Sequence, residues 1–196
     1  MTQISPGSKK GQQLIMPMAR LEEKPDIVVI ANPTSMHLDY LQKALKAGCH
    51  VYLEKPVSHN LDGVDQLLEL HKTRKSVVQV GCQLRCHPQL IMIKEWISSG
   101  KLGAVLSVVA DVGEYLPAWH PWEDYRVSYT ASKDQGGGVI LTLIHEIDYL
   151  YWIFGPLIVE HSMGGNLTSL DIEVEDTALI AMKSNNGIPI HLRMDY

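Results

Sequence analysis

A lysine set directly after a buried strand, and held by a following proline, is placed to work on a substrate oxygen. Lys55, in Glu54-Lys55-Pro56, occupies such a position. An amine with an ordinary pKa of about 10.4 becomes a weaker base when it is desolvated. It can then pass a proton to or from an oxygen in a transition state. The bland reading of the same tripeptide is a solvated strand end. A second group is Thr142, His145, Glu146 and Asp148, which follow Gly136-Gly137-Gly138. On a continuous helix Thr142, His145 and Asp148 fall at i, i+3 and i+6 and share one broad face. An imidazole bracketed by polar groups suits acid–base work; the competing reading is a satisfied core histidine. The third group is Ala31-Asn32-Pro33-Thr34-Ser35-Met36-His37. A helix start presents free N–H groups and partial positive charge, so Thr34 and His37 would face whatever lies over the strand end. Its bland reading is a capped turn with a surface histidine.

Other chemistries fit less well. The three glycines lack the spacing of a dinucleotide or P-loop turn, so phosphate binding there is a weak signal. His145-Glu146-Ile147-Asp148 is not the two-histidine zinc motif, which leaves a metal-dependent lyase or hydrolase as a minor reading. Cys82 and Cys86 are spaced C-x3-C, neither a zinc nor a thioredoxin-like spacing. With Cys49 they make three cysteines, an odd and small number that suits a reducing compartment, with the cytoplasm as default. A net charge of −5 argues against a nucleic-acid partner, which needs a basic face. No apolar run approaches a membrane span, and the polar start MTQISPGSKKGQQ has no secretory core.

These residues need elements to position them. Asp26–Ala31 is a short β-branched apolar run, the pattern of a parallel strand buried on both faces. Asn32-Pro33 stops it, and Thr34 or Ser35 caps a helix with Leu38, Leu41, Ala44 and Leu45 on one face, closed by Gly48. Cys49–Leu53 reads as the next strand. A second helix carries Leu61, Val64, Leu67, Leu68 and His71 on one side, and Ser76–Gly81 is a third strand. Strand and helix in alternation predict a parallel α/β sheet.

After Pro88 the rhythm changes. A helix over 90–97 ends at Gly100, and Leu106–Val112 reads as a longer strand. A long loop from Gly113 to Gln135 holds Trp119, Trp122, Tyr125 and Tyr129. An apolar helix runs from about Val139 to Phe154, and strands follow near 157–163, 175–183 and 188–195. The expected organisation is a poorly defined leader over 1–24, a partial Rossmann domain over 25–88 and an α+β domain over 89–196. The fold class is thus α/β: a partial Rossmann-like parallel sheet without its first βαβ unit, followed by a truncated domain with an open, mainly antiparallel sheet.

Taken in order and spacing, ANPTSMH, EKP, VGCQLRCHP and GGGVILTLIHEIDYLYW resemble the Gfo/Idh/MocA oxidoreductases, from about Lys24 to the C-terminus. The resemblance implies NAD or NADP as cofactor, and a hydride moved to or from a hydroxyl or carbonyl of a sugar, cyclitol or similar molecule. It implies that Lys55 contacts the reacting oxygen and that His145 is the acid or base. Asn32, Pro33, Thr34, His37, Glu54, Lys55, Pro56 and Gln83 match the cofactor side. Arg85, Trp122, Tyr125, Arg126, Tyr129, Thr142 and Asp148 match the substrate side. The open sheet of the second domain would pack against another subunit, giving a homo-oligomer.

Two departures stand out. Many relatives carry an aspartate one turn before the histidine, where this sequence holds Thr142. Gly7 and Gly11 do not make the family's glycine-rich turn, and the ribose-selecting segment is missing, so preference between NAD and NADP is not written here. These departures support an alternative: a non-catalytic relative that binds ligand or forms oligomers.

Overall fold

The computed structural model describes residues 18–196. The expected leader lies largely outside the described residues; its end, Met18–Glu23, is a 3-10 helix.

The first sheet has three parallel strands in the order β1 (Ile27–Ile30), β2 (His50–Leu53) and β3 (Val78–Val80). Between them run α1 (His37–Ala47) and α2 (Val64–Lys72). On α1 the predicted stripe is buried at Leu41, Ala44 and Leu45, and it packs on Ile30, Val51 and Leu53. Burying each such aliphatic side chain contributes about 1.5–3 kcal/mol. Gly48, at φ +83°, closes α1 in the left-handed region.

Three expectations are corrected here. β1 is buried on one face only. Ile30 is sealed under α1, but Ile27 and Val29 are 64% and 66% exposed, because no described residue covers the opposite face. Neither Thr34 nor Ser35 caps α1 through its side chain: a 3-10 turn, Thr34–Met36, intervenes and buries Thr34. Leu61 precedes α2 and is 86% exposed, so that helix buries only Leu67 fully.

α3 (Pro88–Ser98) leads to the second sheet, whose order is β4 (Val108–Gly113), β7 (Pro189–Asp195), β6 (Thr177–Ser184), β5 (Leu157–Gly165). β4 pairs with β7 in parallel; the other two pairings are antiparallel, with a bulge at Val159/His161. β6 and β7 alternate strictly: Ala178, Ile180, Met182, Ile190, Leu192 and Met194 point into a second core. Val139, Leu143 and Leu150 cover that core.

The apolar stretch from Val139 to Phe154 is not one helix. It is α5 (Val139–Thr142) and α6 (His145–Phe154), broken at Leu143-Ile144. The N–H of Glu146 donates to the carbonyl of Leu143, three residues back instead of four. This tightening ends the regular ladder and frees the carbonyl of Thr142. The loop before α5 holds α4 (Leu116–Trp119) and 3-10 turns at Tyr125–Val127, Tyr129–Ala131 and Lys133–Gln135.

Candidate active site

β1 and β2 end side by side. The N–H of Glu54 donates to Ile30 O at 2.8 Å, and the N–H of Gly81 donates to Leu53 O at 2.8 Å. Lys55 thus leaves the sheet at its C-terminal edge, where ligands bind in open α/β sheets. The Lys55–Pro56 peptide is cis. His37 is 1% exposed; its Nδ1 lies 2.7 Å from Pro56 O and its Nε2 2.9 Å from Asn32 O. Carbonyls only accept, so the N–H of a neutral ring donates to one of the two, and the ring packs between the Asn32 turn and the Lys55 turn. His37 is therefore a strut between two site segments and does not face the crevice.

Lys55 reaches across to the second body. Its Nζ donates to Thr142 O at 2.5 Å, the carbonyl released by the helix break. Burial lowers the pKa of Lys55, against the opposing pull of Glu54, Glu146 and Cys82. His145 starts α6. Burial and then the Lys55 cation lower its pKa, outweighing Asp148 and Glu54, and its Nδ1 is buried without a partner. A histidine held below its ordinary value is neutral at neutral pH and keeps one acceptor nitrogen. Glu146 is raised by burial, although a backbone hydrogen bond and Lys55 pull it down. Tyr129 is raised by burial, then by Glu54 and Glu123.

A cavity of about 160 Å³ lies over the strand ends, lined by Ala31, Asn32, Pro33, Thr34, Glu54, Lys55 and Tyr129. The volume suits a single ring and its substituents. Asn32 Oδ1 is buried there with no hydrogen-bond partner. Such an orphaned acceptor is costly unless a ligand donor meets it. The carboxamide or a ribose hydroxyl of a nicotinamide nucleoside supplies such a donor, so these residues fit that end of the cofactor.

Tight packing explains the three glycines. A Cβ on Gly136 would sit 2.7 Å from His59 Cβ and 2.9 Å from Thr34 Cβ; one on Gly137 would sit 2.4 Å from Thr130 O. A Cβ on Gly138 would meet the Glu175 carboxylate at 2.3 Å. The Glu175 backbone carbonyl and carboxylate accept from the N–H groups of Val139 and Ile140. Protein groups thus occupy the place where a phosphate would bind. Among the described residues, no group of three His, Cys, Asp or Glu is placed to hold a metal ion.

The remaining candidates separate. Asp148 takes Arg85 in a fork, with Nε at 2.8 Å and Nη2 at 2.6 Å, joining the 3-10 turn Gln83–Cys86 to α6. Both charges are spent on each other. Gln83 is exposed. The Thr142 hydroxyl is buried beside the Tyr196 phenol, so only its carbonyl serves Lys55. Tyr129 reaches the cavity, whereas the Tyr125 hydroxyl meets the Asp171 N–H at 3.4 Å. Arg126 is paired with Asp124 on the surface, and Trp122 is 78% exposed. Burial and then Asp148 push the Cys82 thiol up to about 11, so it is protonated at neutral pH and a poor nucleophile.

One group, Asp176, escaped the sequence reading, and Glu146, named there beside the histidine, was given no proton-handling role of its own. Glu146 sits within electrostatic reach of Lys55. Asp176 is fully buried and accepts from Leu167 N, Thr168 N, Thr168 Oγ1 and Thr177 Oγ1 at 2.6–3.0 Å. Burial alone would raise its pKa, but these bonds together pull it below the ordinary value. Its neighbours in sequence gave only Thr177 as a hint.

A lysine at the edge of a parallel sheet is thus tied to the end of α5, just ahead of the histidine-bearing α6. Residues 12–82 match the oxidoreductase family with the NAD-binding Rossmann fold, and residues 90–196 match the GFO/IDH/MocA C-terminal domain. The chain belongs to the Gfo/Idh/MocA oxidoreductase family. An uncharacterized oxidoreductase of Synechocystis sp. is 30% identical, over 85% of this chain and 47% of its own length. A myo-inositol 2-dehydrogenase of Thermotoga maritima is 28% identical, over 83% of this chain and 47% of its own. The structure of myo-inositol 2-dehydrogenase from Lactobacillus plantarum superposes with a TM-score of 0.79 at 20% identity, covering 93% of this chain and 54% of that one. The chain spans about half the length of the curated relatives it matches. No described helix is long and apolar enough to cross a membrane.

Proposed function

We propose that this chain carries the nicotinamide- and substrate-facing groups of an NAD- or NADP-dependent oxidoreductase acting on a hydroxyl or carbonyl of a sugar, a cyclitol or a similar small molecule. The observation that carries the reading is the tie from Lys55, which lines the strand-end cavity, to Thr142 O, with His145 close enough to feel the Lys55 charge. The relatives named as inositol dehydrogenases support the substrate class, and a family neighbour crystallised with NAD supports the cofactor.

Asn32, Pro33 and Thr34 would hold the nicotinamide end, with Glu54 and Lys55 below it. The cofactor, when bound, accepts or returns the hydride. This chain's residues handle the proton. Lys55, fixed by one hydrogen bond, retains further N–H donors to polarise the substrate oxygen. His145, neutral at the working pH, takes the hydroxyl proton as the alcohol becomes a carbonyl, and returns it in the reverse direction. Arg85 and Asp148 hold the histidine helix against the first body. Thr142 contributes through its backbone, which dispenses with a side-chain charge at that place.

The open face of the second sheet bears Val109, Met163 and Leu179, 78%, 62% and 39% exposed, around a groove of about 300 Å³. We place a subunit contact of a homo-oligomer there. Three free cysteines suit the reducing cytoplasm.

The test is a fluorescence titration of the folded chain with NADH and NADPH. Saturable binding that weakens on Asn32→Ala, followed by turnover in a screen of sugars and cyclitols, is the expected result. No binding to a folded sample would leave the family's shape without its chemistry and defeat the proposal.

A further inference from the structure

In the loop ahead of the glycines, three rings form a ladder. Trp119 packs against the second core; the His120 ring lies 5.0 Å from it at 15°, and Trp122 lies 5.1 Å from His120 at 25°. His120 Nδ1 is held by Glu123 Oε1 at 2.9 Å, which fixes the middle rung. Trp122 is 78% exposed; His120 takes one of its faces, so the other is open. A large apolar ring presented rigidly to water is a feature that stacking ligands use, and ordering it costs little on binding.

The ladder belongs to the same loop as Tyr129, which lines the cavity with Lys55. Its flanking charges are acidic. Glu123 holds His120, and Asp124 holds Arg126 at 2.6 Å, so that guanidinium is already spent. A ligand bearing phosphates would meet carboxylates here. A neutral polyhydroxylated ring would lay its C–H face on the indole and offer its hydroxyls to those carboxylates.

We propose that the Trp119–His120–Trp122 ladder is a stacking subsite for a second, neutral sugar ring, so that the substrate is a glycoside whose reacting ring lies at Lys55. The identity of the reacting end rests on the oxidoreductase reading above; the subsite itself does not. It adds a place for a second ring, linked to the one that reacts at Lys55.

Saturation-transfer NMR on the whole chain tests this, with cellobiose and maltose as two-ring probes, myo-inositol as a one-ring probe and UMP as the phosphate-bearing competitor. At least one disaccharide should bind saturably, about ten-fold more weakly to Trp122→Ala, and nearly as well to Trp122→Phe. The affinity for myo-inositol should be the same in all three proteins. Disaccharide binding that ignores Trp122→Ala, no saturable disaccharide binding, or UMP binding that depends on Trp122 in preference to the sugars would each overturn the proposal. The two readings fail separately. Loss of the oxidoreductase reading appears as absent NADH binding with the sugar subsite intact. Loss of the subsite appears as normal NADH binding with Trp122 irrelevant to the sugars.

Discussion

Replacing Lys55 by methionine removes the ammonium and keeps an unbranched side chain of similar reach. The lost bond from Nζ to Thr142 O, 2.5 Å long, is charge-assisted and contributes about 1.5–3 kcal/mol. Relief from burying a charge offsets much of this. The net change should stay within about 2 kcal/mol, which is at most about 8 °C in melting temperature for a chain of this size. The chemical consequence is larger. Losing a proton-handling group lowers turnover by about 10²–10⁴-fold, or roughly 2.7–5.4 kcal/mol of barrier. A third consequence needs no substrate. The Lys55 cation, after burial, holds His145 below its ordinary pKa, so in Lys55→Met the His145 midpoint must move up. Imidazole C–H chemical shifts followed across pH, assigned with His145→Gln, read this directly. A midpoint that stays put or falls, in a variant whose melt is preserved, would refute the electrostatic coupling of the two groups. Turnover within ten-fold of the parent would refute the role of Lys55.

Asp176→Asn should cost about 2–4 kcal/mol in urea unfolding, because the amide's NH2 replaces one of the two oxygens and leaves either the Leu167 or the Thr168 N–H facing a donor. The Asp176 carboxyl has a folded pKa below its ordinary value of about 3.9, so its stabilisation is full above that value and is lost as pH falls through the folded pKa. The stability gap to Asn should therefore close in acid, and a gap that stays constant down to acid pH contradicts this. Arg85→Ala and Asp148→Ala, taken through a double-mutant cycle, should show coupling of about 1 kcal/mol, at the low end because Arg85 is 39% exposed; a coupling of zero at low salt would remove the clamp. Gly137→Ala places a Cβ 2.4–2.5 Å from two backbone carbonyl oxygens and should destabilise by about 1–3 kcal/mol, whereas an unchanged melt would mean the wall yields.

The sequence carried the parts of this molecule that are periodic or locally ordered. The β-branched run ending at Ile30, the stripe on α1 and the strict alternation of β6 and β7 each describe an element's own face. The α1 stripe is buried as expected at Leu41, Ala44 and Leu45 and the strands form near the expected places, while the alternation of β6 and β7 emerges from the structure. The one-sided burial of β1 was not legible, because Ile27 and Val29 read as core while burial depends on what lies opposite. The break at Leu143-Ile144 was hidden for a related reason. Apolar residues fill Val139–Leu143 whether or not the ladder is continuous, so hydrophobicity is silent about a carbonyl turned aside. Lys55 and His145 were visible as types in a motif. Their meeting place was not, because Lys55 grips a main-chain atom 87 residues away. The resemblance matched Arg85 and Asp148 to the substrate side; that they pair with each other, 63 residues apart, was not legible.

Lys55 is anchored to a peptide oxygen, and every amino acid has one. No exchange of side chain at position 142 can delete that anchor; only a change that straightens the bend at Leu143-Ile144 can withdraw it. The site is therefore inherited as a backbone shape as much as a set of letters. With threonine at position 142 the amine keeps its partner.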